Sequence, residues 1–191
     1  MRRPYHHGDL RESILSAAMV KIESDGLAAL SLRDLARECG VSPSAPQKHF
    51  ATKQDLLLAL ALRGYAELGR LLAGLELQLP IDKALMMFCK TYCTFVAEHP
   101  VLVQLMHARP FDEGVELVEE ASRQAFAPLE DVLESARTRG KIVNNRKQVD
   151  TFVHVVMRGL GTSLSSAWLA STDDAVPRSV IRLMLTGLRP R

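Results

Sequence analysis

Across 191 residues the chain carries 47% hydrophobic and 24% charged residues, with a formal net charge of only +2. That balance is normal for one soluble globular domain, or for a small module joined to a larger one. It excludes a nucleic-acid binder that works through bulk basicity, so any DNA contact must rest on local placement. Even the first fifty residues set seven Lys/Arg against six Asp/Glu. Aromatic residues make up 5%, while Leu, Ala, Met, Arg and Glu abound, which favours an all-α fold. Cys39, Cys89 and Cys93 are an odd set, and no apolar run follows Arg2 and Arg3 or is long enough to span a bilayer. A reduced, cytoplasmic protein with no membrane partner is the expectation.

The first helical pattern starts at Asp9, whose carboxylate and that of Glu12 make a box-like cap. Leu10, Ile14, Ala18 and Ile22 follow at i, i+4 spacing, and Gly26 is a natural stop. Ser31 with Asp34 repeats the capping signature before "SLRDLAREC", in which Leu32, Leu35 and Ala36 face inward; Gly40 ends that helix and Val41 plugs the turn. A third signature, Thr52 with Asp55, opens the long run "LLLALALRGYAELGRLLAGLELQL". Three caps and a glycine turn within about fifty residues are what a helix-turn-helix requires.

Between the second and third caps lies "VSPSAPQKHF". Proline is tolerated in a first helical turn, where backbone donors have no intrahelical partner. The reading is therefore a short helix over 43–49, capped by Ser42 or by Ser44, with Pro46 biasing Ala45 away from helical angles. Phe50 points to the core, leaving Ser44, Gln47, Lys48 and His49 outside. Gln suits an adenine edge, Lys a guanine or phosphate, and Ser and His suit phosphates. Arg33, Ser42 and Lys53, the last beside the N–H groups that open the next helix, complete the DNA-binding candidates.

Beyond Pro80 the chain stays helical. "DKALMMFCKTYCTFVAEH" is rich in Met and aromatics and is closed by Pro100; a short piece reaches Pro110, and a helix over roughly 112–138 holds Pro128 as a kink. Gly140 and Asn144–Asn145 mark a loop, and two helices follow, over about 146–170 and 174–188.

Residues 5–60, "YHHGDLRESILSAAMVKIESDGLAALSLRDLARECGVSPSAPQKHFATKQDLLLAL", resemble the DNA-binding domain of the TetR/AcrR family of bacterial repressors, in the group whose N-terminus reads Tyr-His-His-Gly-Asp-Leu-Arg. The resemblance implies a helix-turn-helix domain over 1–55 and a helical ligand-binding and dimerisation domain over 56–191. It further implies a homodimeric repressor that leaves a palindromic operator when a small-molecule effector binds. Gln47 departs from the Tyr-x-His-Phe pattern common in the family, which points to a different operator preference. Arg158-Gly159 stands where relatives often carry His-Gly.

Within the C-terminal part, Met86, Phe88, Tyr92, Phe95, Met106, Phe126, Met157 and Trp168 are ligand-pocket candidates, since Met and aromatics line adaptable apolar sites. For each of them plain core is the competing reading. His107, Arg109, His154 and Arg158 are candidate polar anchors. Phe152, Val156, Leu160 and Leu164 on one helix and Val180, Met184 and Leu188 on the next are the dimer candidates, in an apolar face that also includes Val155 and Gly159; the same stripes could instead complete a monomer core. Cys89 and Cys93 share a helix face and, with His99 or His107, are a weak metal or redox candidate. "GLGTS" at 159–163 sits inside a helical pattern, and no nucleophile elbow, zinc-protease or P-loop motif is present, so no enzymatic activity, cofactor or metal is expected. Two other classes stay open: a nonspecific architectural DNA binder, and a helical small-molecule or metal-binding protein without DNA function.

Overall fold

A computed structural model of the chain describes residues 10–76, 78–108, 113–165 and 175–190. Among them there are eight α-helices and no strand: α1 Leu10–Asp25, α2 Leu32–Glu38, α3 Lys53–Ala73, α4 Ile81–Glu98, α5 Pro100–Ala108, α6 Val115–Thr138, α7 Arg146–Ser165 and α8 Ala175–Leu188. The all-α expectation holds. The Asp9 cap and Trp168 lie outside the described residues, as does the stretch between α7 and α8.

Two of the three capping signatures form as read. The Asp34 N–H donates to Ser31 Oγ at 3.5 Å. At α3 the box is reciprocal, with Asp55 N–H on Thr52 Oγ1 at 3.1 Å and Thr52 N–H on Asp55 Oδ2 at 2.8 Å. Each exchange satisfies backbone donors that a helix start leaves open. On α1 the face is also as expected: Ile14, Ala18 and Ile22 are buried, with Leu15 beside them.

α3 is the central element. It packs on α1 at one end and on α4, α5 and α6 along its length, burying Leu56, Leu60, Tyr65, Leu68 and Leu72. One continuous hydrophobic core therefore runs from Ile14 to Leu188, and residue 55 falls in the first turn of a helix that belongs to both halves.

Pro100 does more than close α4. It is the first residue of α5, so the expected short piece before Pro110 is a nine-residue helix, with proline in the position where its missing N–H costs nothing. α6 continues through Pro128 without a break. α6 is tied to α7 by Arg137, whose guanidinium pairs with Glu134 and, at 3.1 Å, with Asp150 Oδ1; Arg146 reaches the same two carboxylates from α7.

Candidate functional site

The segment after α2 is built around what it buries. Gly40 takes φ +69°, a left-handed turn that glycine adopts without strain, and Val41 N–H closes back on Ala36 O at 2.9 Å. The expected helix over 43–49 does not form as a helix. Residues 43–45 make a turn, with Ala45 N–H on Ser42 O at 3.0 Å, and Pro46–Lys48 make a single 3-10 turn. Neither Ser42 nor Ser44 caps it; their hydroxyls lie 3.4 Å from each other, and Ala45, the residue at the N-cap position, has helical angles of φ −63° and ψ −42°. The cause is Pro46. Lacking an N–H, it cannot bond to Ser42 O, so the α ladder is broken before its first turn is complete.

Pro46 is buried and Phe50 is only 2% exposed, and the Arg11 guanidinium lies over the Phe50 ring at 5.5 Å. These anchors turn the rest of the segment outward. Ser42, Ser44, Gln47, Lys48 and His49 are all exposed, as are Arg33 on α2 and Lys53 at the start of α3. Lys53 Nζ donates to Ala28 O at 3.5 Å.

The near-neutral composition hides an asymmetry. The described carboxylates of the first 55 residues are turned to internal partners: Asp34 to Arg37 at 3.0 Å, Glu38 and Asp25 to Lys21, Glu12 to Arg11 and Arg63, and Asp55 to its capping box. The hydrogen bond with Lys21 holds the Asp25 carboxyl below its ordinary value. Arg33 and Lys48 take no part in an ion pair among the described residues. Positive charge is thus left on the turn and its flanks while negative charge is consumed elsewhere.

Glu23, which the sequence does not single out, reaches from α1 to the start of α5. Its carboxylate accepts Val101 N–H at 3.1 Å and Leu102 N–H at 2.9 Å, the open donors of a helix N-terminus. No local pattern marks it, because its partners lie 78 and 79 residues away.

In the C-terminal half the structure gathers most of the ligand candidates. Phe126 sits among Phe88 at 5.9 Å, Tyr92 at 5.6 Å edge-on and His154 at 5.7 Å between ring centres. Phe95, Met106 and Met157 are buried in the same core. Met86 is not with them. It lies half-buried on another side of α4, in a groove against α8.

Tyr92 stands out. Its hydroxyl is buried with no hydrogen-bond partner among the described residues, and it abuts Gly161 so closely that a Cβ there would collide with it. Burial pushes its pKa up. Cys89 and Cys93 lie beside it with sulfurs 3.8 Å apart, and that contact together with burial holds the Cys89 thiol protonated. His107 instead meets Thr162 at 3.2 Å, and His99 lies tilted against Phe95 with ring centres 5.0 Å apart. Among the described residues no three His, Cys, Asp or Glu side chains are grouped to hold a metal ion.

An orphaned buried hydroxyl costs about 1–3 kcal/mol. Tyr92→Phe is therefore expected to stabilise the ligand-free protein by about 1 kcal/mol, or roughly 3 °C in thermal midpoint. Differential scanning calorimetry measures this; a lowered midpoint would mean that the hydroxyl is satisfied.

The dimer candidates divide. Leu160, Met184 and Leu188 are in the protomer's own core, Val156, Leu164 and Val180 are half-buried, and Phe152 is 42% exposed. Val155 at 64% and Leu183 at 74% are the most exposed members of that surface. The i+4 row from Val176 to Leu188 does not include Leu183; it drifts about 40° per step around the helix and runs from half-buried Val176 and Val180 to buried Met184 and Leu188. Gly159 and Gly187 face open space on the same two helices, and a groove of about 950 Å³ joins Phe152 and Val155 to Gly187 and Leu188. No described helix is long and apolar enough to cross a membrane.

Residues 14–60 match the family model for bacterial regulatory proteins of the tetR family. The whole fold is similar to a protein of unknown function from Rhodococcus sp. RHA1, at 30% identity and a TM-score of 0.84 over 99% of this chain and 100% of that one. It is also similar to a regulatory protein in the tetR family from Rhodococcus RHA1, at 19% identity and a TM-score of 0.75 over 95% and 98% of the two chains. The transcriptional regulator FadR from Bacillus subtilis, solved in complex with stearoyl-CoA, shares 16% identity and a TM-score of 0.75 over 93% and 99%. None of the curated proteins matches this chain.

Proposed function

We propose that the chain, whose residues 14–60 match the family model for bacterial regulatory proteins of the tetR family, is a homodimeric, sequence-specific DNA-binding repressor of that family, released from a palindromic operator by a small molecule. The observation that carries the reading is the outward-facing turn at 42–49. Pro46 within it and Phe50 directly after it are buried and fix it to the core, and apart from Pro43 its exposed residues are polar or basic. The contact to DNA is made by this turn and its flanks rather than by a full recognition helix. Gln47 reads a base edge, while Lys48, His49, Arg33 and Lys53 hold phosphates, with Ser42 and Ser44 alongside.

The division of labour runs at about residue 55, although the packing does not divide there. Residues 1–55 carry the DNA face; residues 56–191 carry the effector site and the dimer contact. The exposed stripe of Phe152, Val155 and Leu183 is the natural seam for an isologous dimer, whose two-fold axis a palindromic operator matches. The effector enters the core around Phe126, where Tyr92 offers an unspent hydrogen bond; Phe88, Phe95, Met106 and Met157 are its apolar walls. Glu23 links that core to α1 through α5, so a ligand that moves α5 shifts the population of DNA-binding geometries.

Selection of binding sites from a random duplex pool tests the reading. An enriched palindrome is the expected result, and an unenriched pool would rule out sequence-specific binding. With the selected site, Lys48→Ala is expected to weaken binding to all sequences and to reduce the salt slope by about one unit, whereas Gln47→Ala relaxes base preference. An unchanged slope for Lys48→Ala removes it from the phosphate contacts.

A further inference from the structure

Between α4 and α8 runs an open groove of about 700 Å³. Its floor is apolar: Met86 and Met87 from α4, Ile181 and Leu185 from α8. Its rim is cationic, with Lys83 and Lys90 on one wall and Arg178, Arg182 and Arg189 on the other, all exposed, and Asp82 is the one carboxylate among the described lining residues. The groove shares no lining residue with the aromatic cluster around Phe126 or with the turn at 42–49.

We propose that this groove is a second binding site, for a single-chain amphipathic anion: a long alkyl tail along the Met86–Ile181 floor and a carboxylate among the Lys and Arg side chains. It goes beyond the proposed function and does not depend on it.

Three observations select this occupant. The volume lies within the roughly 300–1,000 Å³ of small-molecule sites. Methionine is the side chain that best adapts to a flexible tail. Among the described lining residues the excess of Lys83, Lys90, Arg182 and Arg189 over Asp82 favours an acidic partner, since an uncharged tail would leave it unused. A second copy of the chain is disfavoured on the same ground, because it would bring the same cations to the groove. It would also have to use another side of α8: at 100° per residue, Leu183 and Gly187 point about 100–160° away from Arg182, Leu185 and Arg189. Nucleic acid fits the cations but not a Met, Ile and Leu floor.

Titration calorimetry of the full-length protein with monomeric sodium laurate tests the site, with dodecyltrimethylammonium as the same tail under a cationic head. Laurate is expected to bind at one per protomer and the cation not at all. Replacing both Lys90 and Arg182 with Gln should weaken laurate about tenfold, while binding to the selected operator in the absence of laurate stays unchanged. Failure of operator binding would thus be told apart from failure of this site. Equal affinity for the two head groups, or laurate affinity untouched in the Lys90/Arg182 variant but lost in Phe126→Ala, would overturn the assignment and place the tail in the aromatic core. Binding to anionic phospholipid vesicles with none to monomeric laurate would overturn it in favour of a membrane surface.

Discussion

Leu183→Glu is expected to convert the protein to monomers and to lower operator affinity by about two orders of magnitude or more, the loss that follows when two linked half-site contacts become independent. Leu183 is 74% exposed, so the substitution removes nothing from the protomer's core and the fold should be retained. What it changes is the proposed dimer seam with Val155 and Phe152. A carboxylate there would be buried without a partner on forming the dimer, and the two-fold axis would set it near its own copy. Sedimentation at micromolar protein, with circular dichroism as the check on folding, reads the first part; a mobility shift on the selected palindrome reads the second. A variant that sediments as a dimer would move the interface away from α7 and α8. A monomer that binds the palindrome as tightly as the parent protein would show that dimerisation is not needed for recognition.

The second large effect is expected at Glu23. Its carboxylate is the shared acceptor for two backbone donors at the start of α5, and charge-assisted bonds of this kind are the stronger ones in a protein. Glu23→Ala leaves the Val101 and Leu102 N–H groups without that acceptor in a partly buried seam, at a cost of about 2–3 kcal/mol. Glu23→Gln keeps an acceptor oxygen but loses the charge opposite the helix N-terminus, for about 1 kcal/mol.

Denaturant midpoints measure those costs. Release from the operator by effector separates a structural role from a coupling one. The same helix carries Leu102 and Met106, which press against Gly64 of α3, and the Tyr65 hydroxyl donates to Met106 O at 3.3 Å. α5 is therefore held by α1 at its start and by α3 along its length. If Glu23 couples the halves, Glu23→Gln retains operator binding but weakens the response to effector. A variant with the full effector response and only the stability loss would make Glu23 a clasp and nothing more.

Against these expectations, the value of the sequence differs from element to element. Ser31–Asp34 and Thr52–Asp55 could be read directly, because a cap is a local exchange between residues three apart and needs nothing from the rest of the chain. The α1 face and the helical run after Thr52 were legible for a similar reason: a 3.6-residue period in side-chain polarity is written along the chain. The exposure of Ser44, Gln47, Lys48 and His49 followed from where the apolar anchor Phe50 had to go.

The helix at 43–49 shows the limit. Composition allowed prolines in a first turn, but whether the turn extends depends on whether later bonds repay the one that Pro46 cannot make. Burial of Pro46 and Phe50 against the core settled it as a 3-10 turn.

The sequence by itself determined the all-α class, the Ser31 and Thr52 caps, the mainly polar character of the turn at 42–49 and the aromatic composition of the core, all of which depend on spacing or residue type. Only the tertiary structure decided the rest. It sent Met86 to a groove and Phe88 to the core from the same helix, set Glu23 on a helix start 78 residues away, left the Tyr92 hydroxyl without a partner, and chose Leu183 over Leu188 for the surface. Each depends on which neighbour a helix face meets, and a period along one chain fixes that a face is apolar without fixing what covers it.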